Sequence, residues 1–186
     1  MPEVTRLTRA EDIGALSALW QEVFGDGGEL ISAFFRLLWR PGYGRVAEEG
    51  GRIVSMGFCL PGPEAMGLKC AYIYAMATAE GERGRGHAAR IGRALMADAF
   101  SRGADIVATL PADEGLCRWY ETRLGMAPLF KKGGEGVTFP ESWAEFARVC
   151  GAHDANTPSR LWASARPGAG IDLAPLSALA WEHTFD

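Results

Sequence analysis

The chain has 186 residues, of which 48% are hydrophobic, and this is enough for one domain with a full core. Its formal net charge of −4 disfavours general nucleic-acid binding, because the neutralisation of phosphates needs a basic surface. Its longest uncharged apolar stretches are too short to span a bilayer, and its first residues lack a signal-peptide pattern. We therefore expect a cytoplasmic protein that binds neither nucleic acid nor a membrane.

The first part of the chain predicts a strand, two helices and a hairpin. Thr8-Arg9-Ala10-Glu11 has the pattern of a capping box at the start of the first helix. Pro61-Gly62-Pro63 is typical of a loop after the hairpin. In chain order, the predicted elements are Val4–Leu7, a helix with Ile13, Leu16, Trp20 and Val23 on one face, Leu30–Trp39, Arg45–Glu48 and Arg52–Leu60.

The second part of the chain alternates strands and helices. The elements predicted there are the strand Lys69–Thr78, the helix Ala88–Arg102, the strand Asp105–Leu110, the helix Glu114–Leu124, a strand from Met126 to Phe130 and the helix Glu141–Cys150. Gly151–Gly170 is rich in Gly, Ala, Pro and Ser and is predicted as loop. The order β-α-α-β-β-β-α-β-α-β predicts an α/β or α+β fold with a mixed sheet, not repeated βαβ units.

The four cysteines are widely spaced and form no CxxC pair, which argues against a disulfide framework and a zinc site. They are Cys59, Cys70, Cys117 and Cys150. We interpret them as reduced, mostly buried thiols. The sequence shows no other cluster of metal-ligating residues, so we expect no metal.

Arg83-Gly84-Arg85-Gly86-His87-Ala88 is the most informative stretch, because it joins a predicted strand to a predicted helix. A glycine-rich turn of this kind presents several backbone N–H groups at the positive end of a helix dipole. Such a turn is suited to binding a phosphate group, and the simplest ligand that fits this description is a pyrophosphate. The local basic cluster of Arg83, Arg85, Arg90 and Arg93 agrees with one anionic ligand rather than a polymer.

Two well-known phosphate motifs fit this turn poorly. A P-loop needs GxxxxGK[ST], and no Lys-Ser or Lys-Thr pair follows these glycines. A dinucleotide-binding fingerprint over Gly84–Ala89 would follow the first strand of its fold, whereas four predicted strands precede this turn. The strand that follows also carries its carboxylate, Asp105, at the wrong end. A tight turn without any ligand remains a further alternative.

A third pattern fits better. Arg83, Gly86 and Ala88 match Arg/Gln-x-x-Gly-x-Gly/Ala, and with the flanking elements the chain resembles the GNAT superfamily of acetyl-CoA-dependent N-acetyltransferases. Tyr72–Thr78 resembles the family's fourth strand, and Leu110–Met126 resembles its fifth strand and fourth helix. Met126 stands where the family often has Phe. The resemblance is specific from Lys69 to Phe130, extends in element order back to Val4, and does not reach beyond Thr138.

The resemblance implies a GNAT-like domain over residues 1–140, with residues 141–186 as a C-terminal extension packing on the same domain. Its sheet would be mostly antiparallel, with helices on both faces, and splayed between strands four and five. Acetyl-CoA would be the cosubstrate. Backbone N–H groups of the turn would hold its pyrophosphate, and the end of the fourth strand would pair with its pantetheine arm. The cofactor-binding residues implied are Met76, Ala77, Thr78, Arg83, Gly84, Arg85, Gly86, His87, Ala88 and Ala89.

For catalysis, the resemblance implies that Tyr120 protonates the departing CoA thiolate, the alternative being that Tyr120 only packs beside Trp119. The reaction would be direct attack by a primary amine of a small molecule or peptide in a ternary complex. A lysine-like amine costs about 4.6 kcal/mol to deprotonate at pH 7, so the site must lower its pKa or supply a base. Candidates for that base are Glu48, Glu49, Glu80 and Tyr74, or a water chain.

Two other functions remain open at this point. A non-catalytic acyl-CoA-binding sensor or interaction module would share the fold and the cofactor, and turnover would distinguish it from an enzyme. A nucleotide-binding or NAD-binding domain would bind NAD and not CoA. The sequence leaves the identity of the acceptor open, and the Trp-rich tail would either close the domain or pair two subunits as a homodimer.

Overall fold

The computed structural model describes residues 4–151 and 156–185. The strands are β1 (Val4–Leu7), β2 (Gly44–Glu49), β3 (Arg52–Ala65), β4 (Leu68–Thr78), β5 (Ile106–Thr109), β6 (Ala127–Lys132), β7 (Arg160–Ala165) and β8 (Ala180–Trp181). The helices are α1 (Ile13–Phe24), α2 (Gly28–Leu37), α3 (His87–Ser101), α4 (Glu114–Leu124) and α5 (Glu141–Cys150). Within the described residues, no helix has both the length and the apolar character that crossing a membrane requires.

The strands follow the hydrogen-bonded order β1-β2-β3-β4-β5-β7-β6-β8. The ladders β1–β2, β2–β3, β5–β7 and β6–β7 are antiparallel, whereas β4–β5 and β6–β8 are parallel. Cys70–Tyr72 of β4 pairs with Ile106–Ala108 of β5, and β4 continues beyond this ladder to Thr78. The expected fold class, a mixed and mostly antiparallel sheet splayed between its fourth and fifth strands, is confirmed.

The chain divides into two compact units, of which the first comprises the described residues up to 60 together with 73–97. Aromatic side chains of α1, α2 and β3 form its core, with ring centroids of Trp20 and Phe34 and of Phe34 and Phe58 both 4.8 Å apart. α3 covers the opposite face, because an added Cβ on Gly57 would lie 3.1 Å from Leu95 and 3.2 Å from Ile91. Helices therefore cover both faces of the sheet in this unit.

The second unit comprises residues 61–72 and the described residues from 98 onward. Its core is aromatic as well, with ring centroids of Trp143 and Phe185 4.5 Å apart and those of Phe130 and Trp181 5.2 Å apart. The Tyr72 hydroxyl donates a hydrogen bond to the backbone carbonyl of Thr184. The last residues of the described chain are therefore part of the core of this unit.

Two predicted loops are wrong because strands occupy them. Pro61-Gly62-Pro63 lies within β3, whose extended backbone suits the fixed φ of proline. An added Cβ on Gly62 would lie 3.1 Å from the Cys70 carbonyl oxygen, so glycine permits a close approach of β4 there. Gly151–Gly170 contains β7, which lies between β5 and β6. Burial of Leu161, Trp162 and Ala163 overrides the loop-like composition.

Part of that stretch, residues 152–155 with His153, lies outside the described residues. The division of the chain at residue 140 stays a prediction.

The predicted capping box of Thr8 and Glu11 is also wrong. The carboxylate that accepts the Arg9 backbone N–H belongs to Asp12, at 2.8 Å, while the Thr8 hydroxyl accepts from Trp39 Nε1 at 3.2 Å. Asp12 is oriented by Arg6, whose Nη1 and Nη2 donate to its two oxygens at 2.7 and 2.9 Å. The ion pair with Arg6, 6 residues away in the chain, therefore decides which carboxylate caps this turn.

We expect Asp12→Asn to lower the free energy of unfolding by about 1–3 kcal/mol at pH 7, since the Arg6 guanidinium loses one of its two charged partners and keeps only Glu48. The hydrogen bond from Arg6 holds the pKa of Asp12 below its usual value. A lowered folded-state pKa stabilises the fold above the unfolded value, about 3.9, and that contribution is lost as the pH falls through the lower folded-state pKa. Urea unfolding should therefore separate the two proteins at neutral pH and bring them together in acid. Glu11→Gln, at an exposed neighbouring residue, is the control and should change the free energy of unfolding little. A difference between the wild type and Asp12→Asn that grows in acid would contradict the prediction.

Candidate active site

A short connection joins the end of β4 to the glycine turn. It contains a 3-10 turn over Glu80–Glu82, and α3 begins after the glycine turn, at His87. Within β4, Ala75 has a φ of +50°, a left-handed conformation that is strained for a residue with a side chain. The strand is therefore irregular immediately before Met76–Thr78, the residues implicated in binding the pantetheine arm.

β3 holds this end of β4 in place. The Ser55 hydroxyl, which is fully buried, donates to the Ala77 carbonyl at 2.9 Å and lies 2.8 Å from the Thr78 hydroxyl. On the same face of β3, an added Cβ on Gly57 would lie 2.9 Å from Met76 Cγ. Met76, Ala77 and Thr78 are thus positioned by buried contacts with one neighbouring strand.

Both glycines of the turn have a left-handed backbone. Gly84 and Gly86 have φ values of +77° and +82°, which glycine adopts at little cost. The residues Arg83–Gly86 are exposed, and the first turn of α3 contains no acidic residue. Because the amides of a helix's first turn lack intrahelical acceptors, this turn can present them to an anion.

His87 is the first residue of α3, and its side chain is buried rather than exposed in the turn. Its Nδ1 lies 3.2 Å from Arg90 Nη2. Because a guanidinium only donates, Nδ1 is the acceptor of this pair. The side chain of His87 therefore packs at the base of the helix, and its backbone is what faces the turn.

The arginines of the turn contact acceptors of the protein itself. Arg83 Nε donates to the Thr78 carbonyl at 3.3 Å, and Arg90 Nη1 donates to the Arg85 carbonyl at 3.1 Å. The Arg85 guanidinium bonds to the carboxylates of Glu49 and Glu82, which raise its pKa. All three side chains support the turn, and Arg85 does so through carboxylates.

Tyr120 lies in the second unit and is almost fully buried on α4. Its ring meets that of Trp119 edge-on at 5.0 Å, and its hydroxyl is hydrogen-bonded to Thr109 at the end of β5. Burial raises the pKa of the phenol above its ordinary value of 10.0. Tyr120 is therefore protonated at neutral pH, as a general acid must be, and it also packs beside Trp119.

The four candidate bases lie in different surroundings. The Glu48 carboxylate accepts from Arg6 at 2.9 Å, and Glu49 accepts from Arg85. Tyr74 packs against Trp20 and Phe34, and Glu80 is exposed. No distance in this arrangement favours one of them as the base. Among the described residues, no group of three or more His, Cys, Asp and Glu side chains could hold a metal ion.

Sequence reasoning missed Ser55, Glu82 and Thr109 as supports of the candidate residues. Ser55 is 22 residues from Ala77 in the chain, and nothing in its local sequence marks it as a partner of β4. Glu82 stands three residues before Arg85, a spacing that could have suggested the ion pair.

The comparisons with known proteins agree with the fold. A family model described as the acetyltransferase (GNAT) family matches residues 14–126, which is more than half of the chain. No curated protein sequence matches.

Solved structures are similar in fold at low sequence identity. A GNAT family N-acetyltransferase, YhbS, from Escherichia coli in complex with CoA has a TM-score of 0.62 at 16% identity, covering 88% of this chain and 81% of its own. A GNAT family acetyltransferase from Brucella melitensis in complex with acetyl-CoA has a TM-score of 0.59 at 15% identity, covering 76% of this chain and 97% of its own.

Longer proteins match as well. A probable N-acyltransferase from Enterococcus faecalis V583 has a TM-score of 0.59 at 15% identity over 70% of this chain, which spans only 34% of that protein. These structures share the fold, and the match of the family model over residues 14–126 is independent of them. The chain belongs to the acetyltransferase (GNAT) family.

Proposed function

We propose that the protein transfers an acetyl group from acetyl-CoA to a primary amine by direct attack in a ternary complex. The observation that carries the proposal is the turn from Arg83 to Ala89, with left-handed glycines between β4 and the first turn of α3. Support comes from the two similar structures that hold CoA and acetyl-CoA. The acceptor is a small-molecule or peptide amine.

The turn fits a pyrophosphate by its shape and charge. Backbone N–H groups from Gly84 to Ala89 would donate to the phosphate oxygens, and a side chain at Gly84 or Gly86 would obstruct that approach. Arg83 and Arg85 add positive charge at the exposed side of the turn. The His87 side chain, being buried, takes part only through its backbone.

The end of β4 would bind the pantetheine arm as an added strand, through backbone groups of Met76, Ala77 and Thr78. Bound acetyl-CoA supplies an activated thioester. A backbone N–H of Met76 or Ala77 would donate to the thioester carbonyl and stabilise the charge that develops there. Ser55 supports this role because it fixes the Ala77 carbonyl and the Thr78 side chain.

Tyr120 is proposed as the general acid. The new N–C bond forms as the C–S bond breaks, and the phenol donates its proton to the leaving sulfur. A thiol pKa of about 8.5 makes the thiolate a fair leaving group, so the gain from Tyr120 should lie near the low end of the ~10²–10⁴-fold range. The attacking amine must lose a proton, and the base that accepts it is left unassigned.

Calorimetric titration with acetyl-CoA, with NAD as the control, tests the proposal. We expect micromolar binding of acetyl-CoA and none of NAD, because the turn offers a pyrophosphate site without an acidic ribose ligand. A screen of amines with thiol release as the signal then tests transfer. Binding of NAD without acetyl-CoA would overturn the proposal, and binding of acetyl-CoA without any transfer would favour the non-catalytic sensor.

A further inference from the structure

Arg85 is held by a carboxylate from outside the glycine turn. Its Nη2 lies 2.8 Å from Glu49 Oε1 and its Nη1 lies 2.9 Å from Glu49 Oε2, a two-bond pairing across 36 residues of sequence. Glu49 is the last residue of β2. The Arg85 side chain is 51% exposed, whereas that of Glu49 is 22% exposed. The Arg85 guanidinium is therefore paired on one side and open to solvent on the other.

The backbone of the turn depends to different degrees on the side chains of Arg83, Arg85 and Arg90. Arg83 and Arg90 donate to the backbone carbonyls of Thr78 and Arg85, so their departure would loosen the turn itself. Arg85 donates to side chains, those of Glu49 and Glu82. Its guanidinium can therefore change partner while the backbone of the turn stays in place.

The geometry of the Arg85–Glu49 pair suits an exchange of partners. A guanidinium binds carboxylates and phosphates with the same two-pronged arrangement of donors. An exposed ion pair contributes little net stability, so a pyrophosphate with at least two negative charges can displace the carboxylate. Glu82 competes less strongly than Glu49 with a phosphate for Arg85. Arg52 Nη2 lies 2.9 Å from Glu82 Oε1 and supplies that carboxylate with a second cation.

We propose that Glu49 competes with the pyrophosphate for Arg85 and thereby sets the affinity of the turn for acetyl-CoA. The inference rests on the proposed function, since it assumes that the turn binds a pyrophosphate. In this inference Glu49 acts through Arg85, so its role is that of a positioning residue.

Glu49→Gln tests the proposal by calorimetry with acetyl-CoA, inorganic pyrophosphate and pantetheine. We expect acetyl-CoA and pyrophosphate to bind about three- to tenfold more tightly, because Arg85 is released from a charged partner. Pantetheine, which has no phosphate, should bind as it does to the wild type. Glu48→Gln is the matched control: it removes the same charge one residue away, from a carboxylate paired with Arg6, and should leave binding unchanged.

A double-mutant cycle with Arg85→Ala gives the decisive comparison. In the Arg85→Ala background, Glu49→Gln should have no effect on acetyl-CoA binding, since there is no guanidinium left to release. Unchanged or weaker binding to Glu49→Gln in an otherwise wild-type chain would overturn the inference and leave the proposed function intact. If the wild type binds neither acetyl-CoA nor pyrophosphate, both the inference and the proposed function are wrong.

Discussion

Replacement of Gly86 by alanine is expected to weaken acetyl-CoA binding by about 30-fold or more, which corresponds to roughly 2 kcal/mol. The φ of Gly86 is +82°, where a residue with a Cβ is strained by about 1–2 kcal/mol. The added Cβ would also lie 3.0 Å from Arg90 Nη1, the atom that donates to the Arg85 carbonyl. The substitution therefore disturbs both the backbone of the turn and the side chain that supports it.

Gly25→Ala is the matched control for this substitution. Gly25 has a φ of +73° at the end of α1, with open space around the position of an added Cβ. The alanine there carries a similar backbone strain, so both variants should lose about 1–2 kcal/mol of unfolding free energy in urea. Calorimetry should find weakened acetyl-CoA binding in Gly86→Ala alone. Equal binding by the two variants would mean that the turn has no part in holding the cosubstrate.

The features that were predictable from sequence are those that depend on local backbone chemistry. The turn at Gly84 and Gly86 follows from a glycine-rich stretch between a strand and a helix, and the bounds of α4 and α5 follow from their flanking residues. A run of apolar residues likewise placed β4 within one residue of its observed start. Each of these signals lies within a few residues of the structure it determines.

The features that were missed depend on partners distant in the chain. β7 is a strand because it pairs with β5 and β6, and its own composition indicates a loop. Asp12 replaces Glu11 at the first turn because Arg6 binds it. The bidentate bonds of Arg85 to Glu49 span 36 residues, and no local pattern distinguishes that glutamate from Glu48. The residues proposed to bind the cosubstrate were thus predictable, whereas those that hold them in place were not.

Tyr120→Phe is expected to lower kcat by about 100-fold with little change in the KM for acetyl-CoA, because only the proton donor is lost. The phenylalanine ring keeps the edge-on contact with Trp119, while the hydrogen bond to Thr109 is removed. Unfolding in urea should therefore show a loss of only about 1 kcal/mol. A residue that merely packs in the core would show the stability change without the change in kcat.

The pH dependence separates the two roles further. A general acid acts only while protonated, and burial raises the pKa of Tyr120 above 10.0. The ratio of wild-type to Tyr120→Phe rates should therefore stay constant from neutral pH up to that value, and the wild type should lose its advantage only above it. Tyr43→Phe, which removes a phenol hydroxyl from a half-buried residue outside the proposed site, is the control for the loss of a hydroxyl. Thiol release with one amine acceptor gives the pH–rate profiles of the wild type, Tyr120→Phe and Tyr43→Phe. A ratio of wild-type to Tyr120→Phe rates near one at neutral pH would show that Tyr120 has no part in the mechanism.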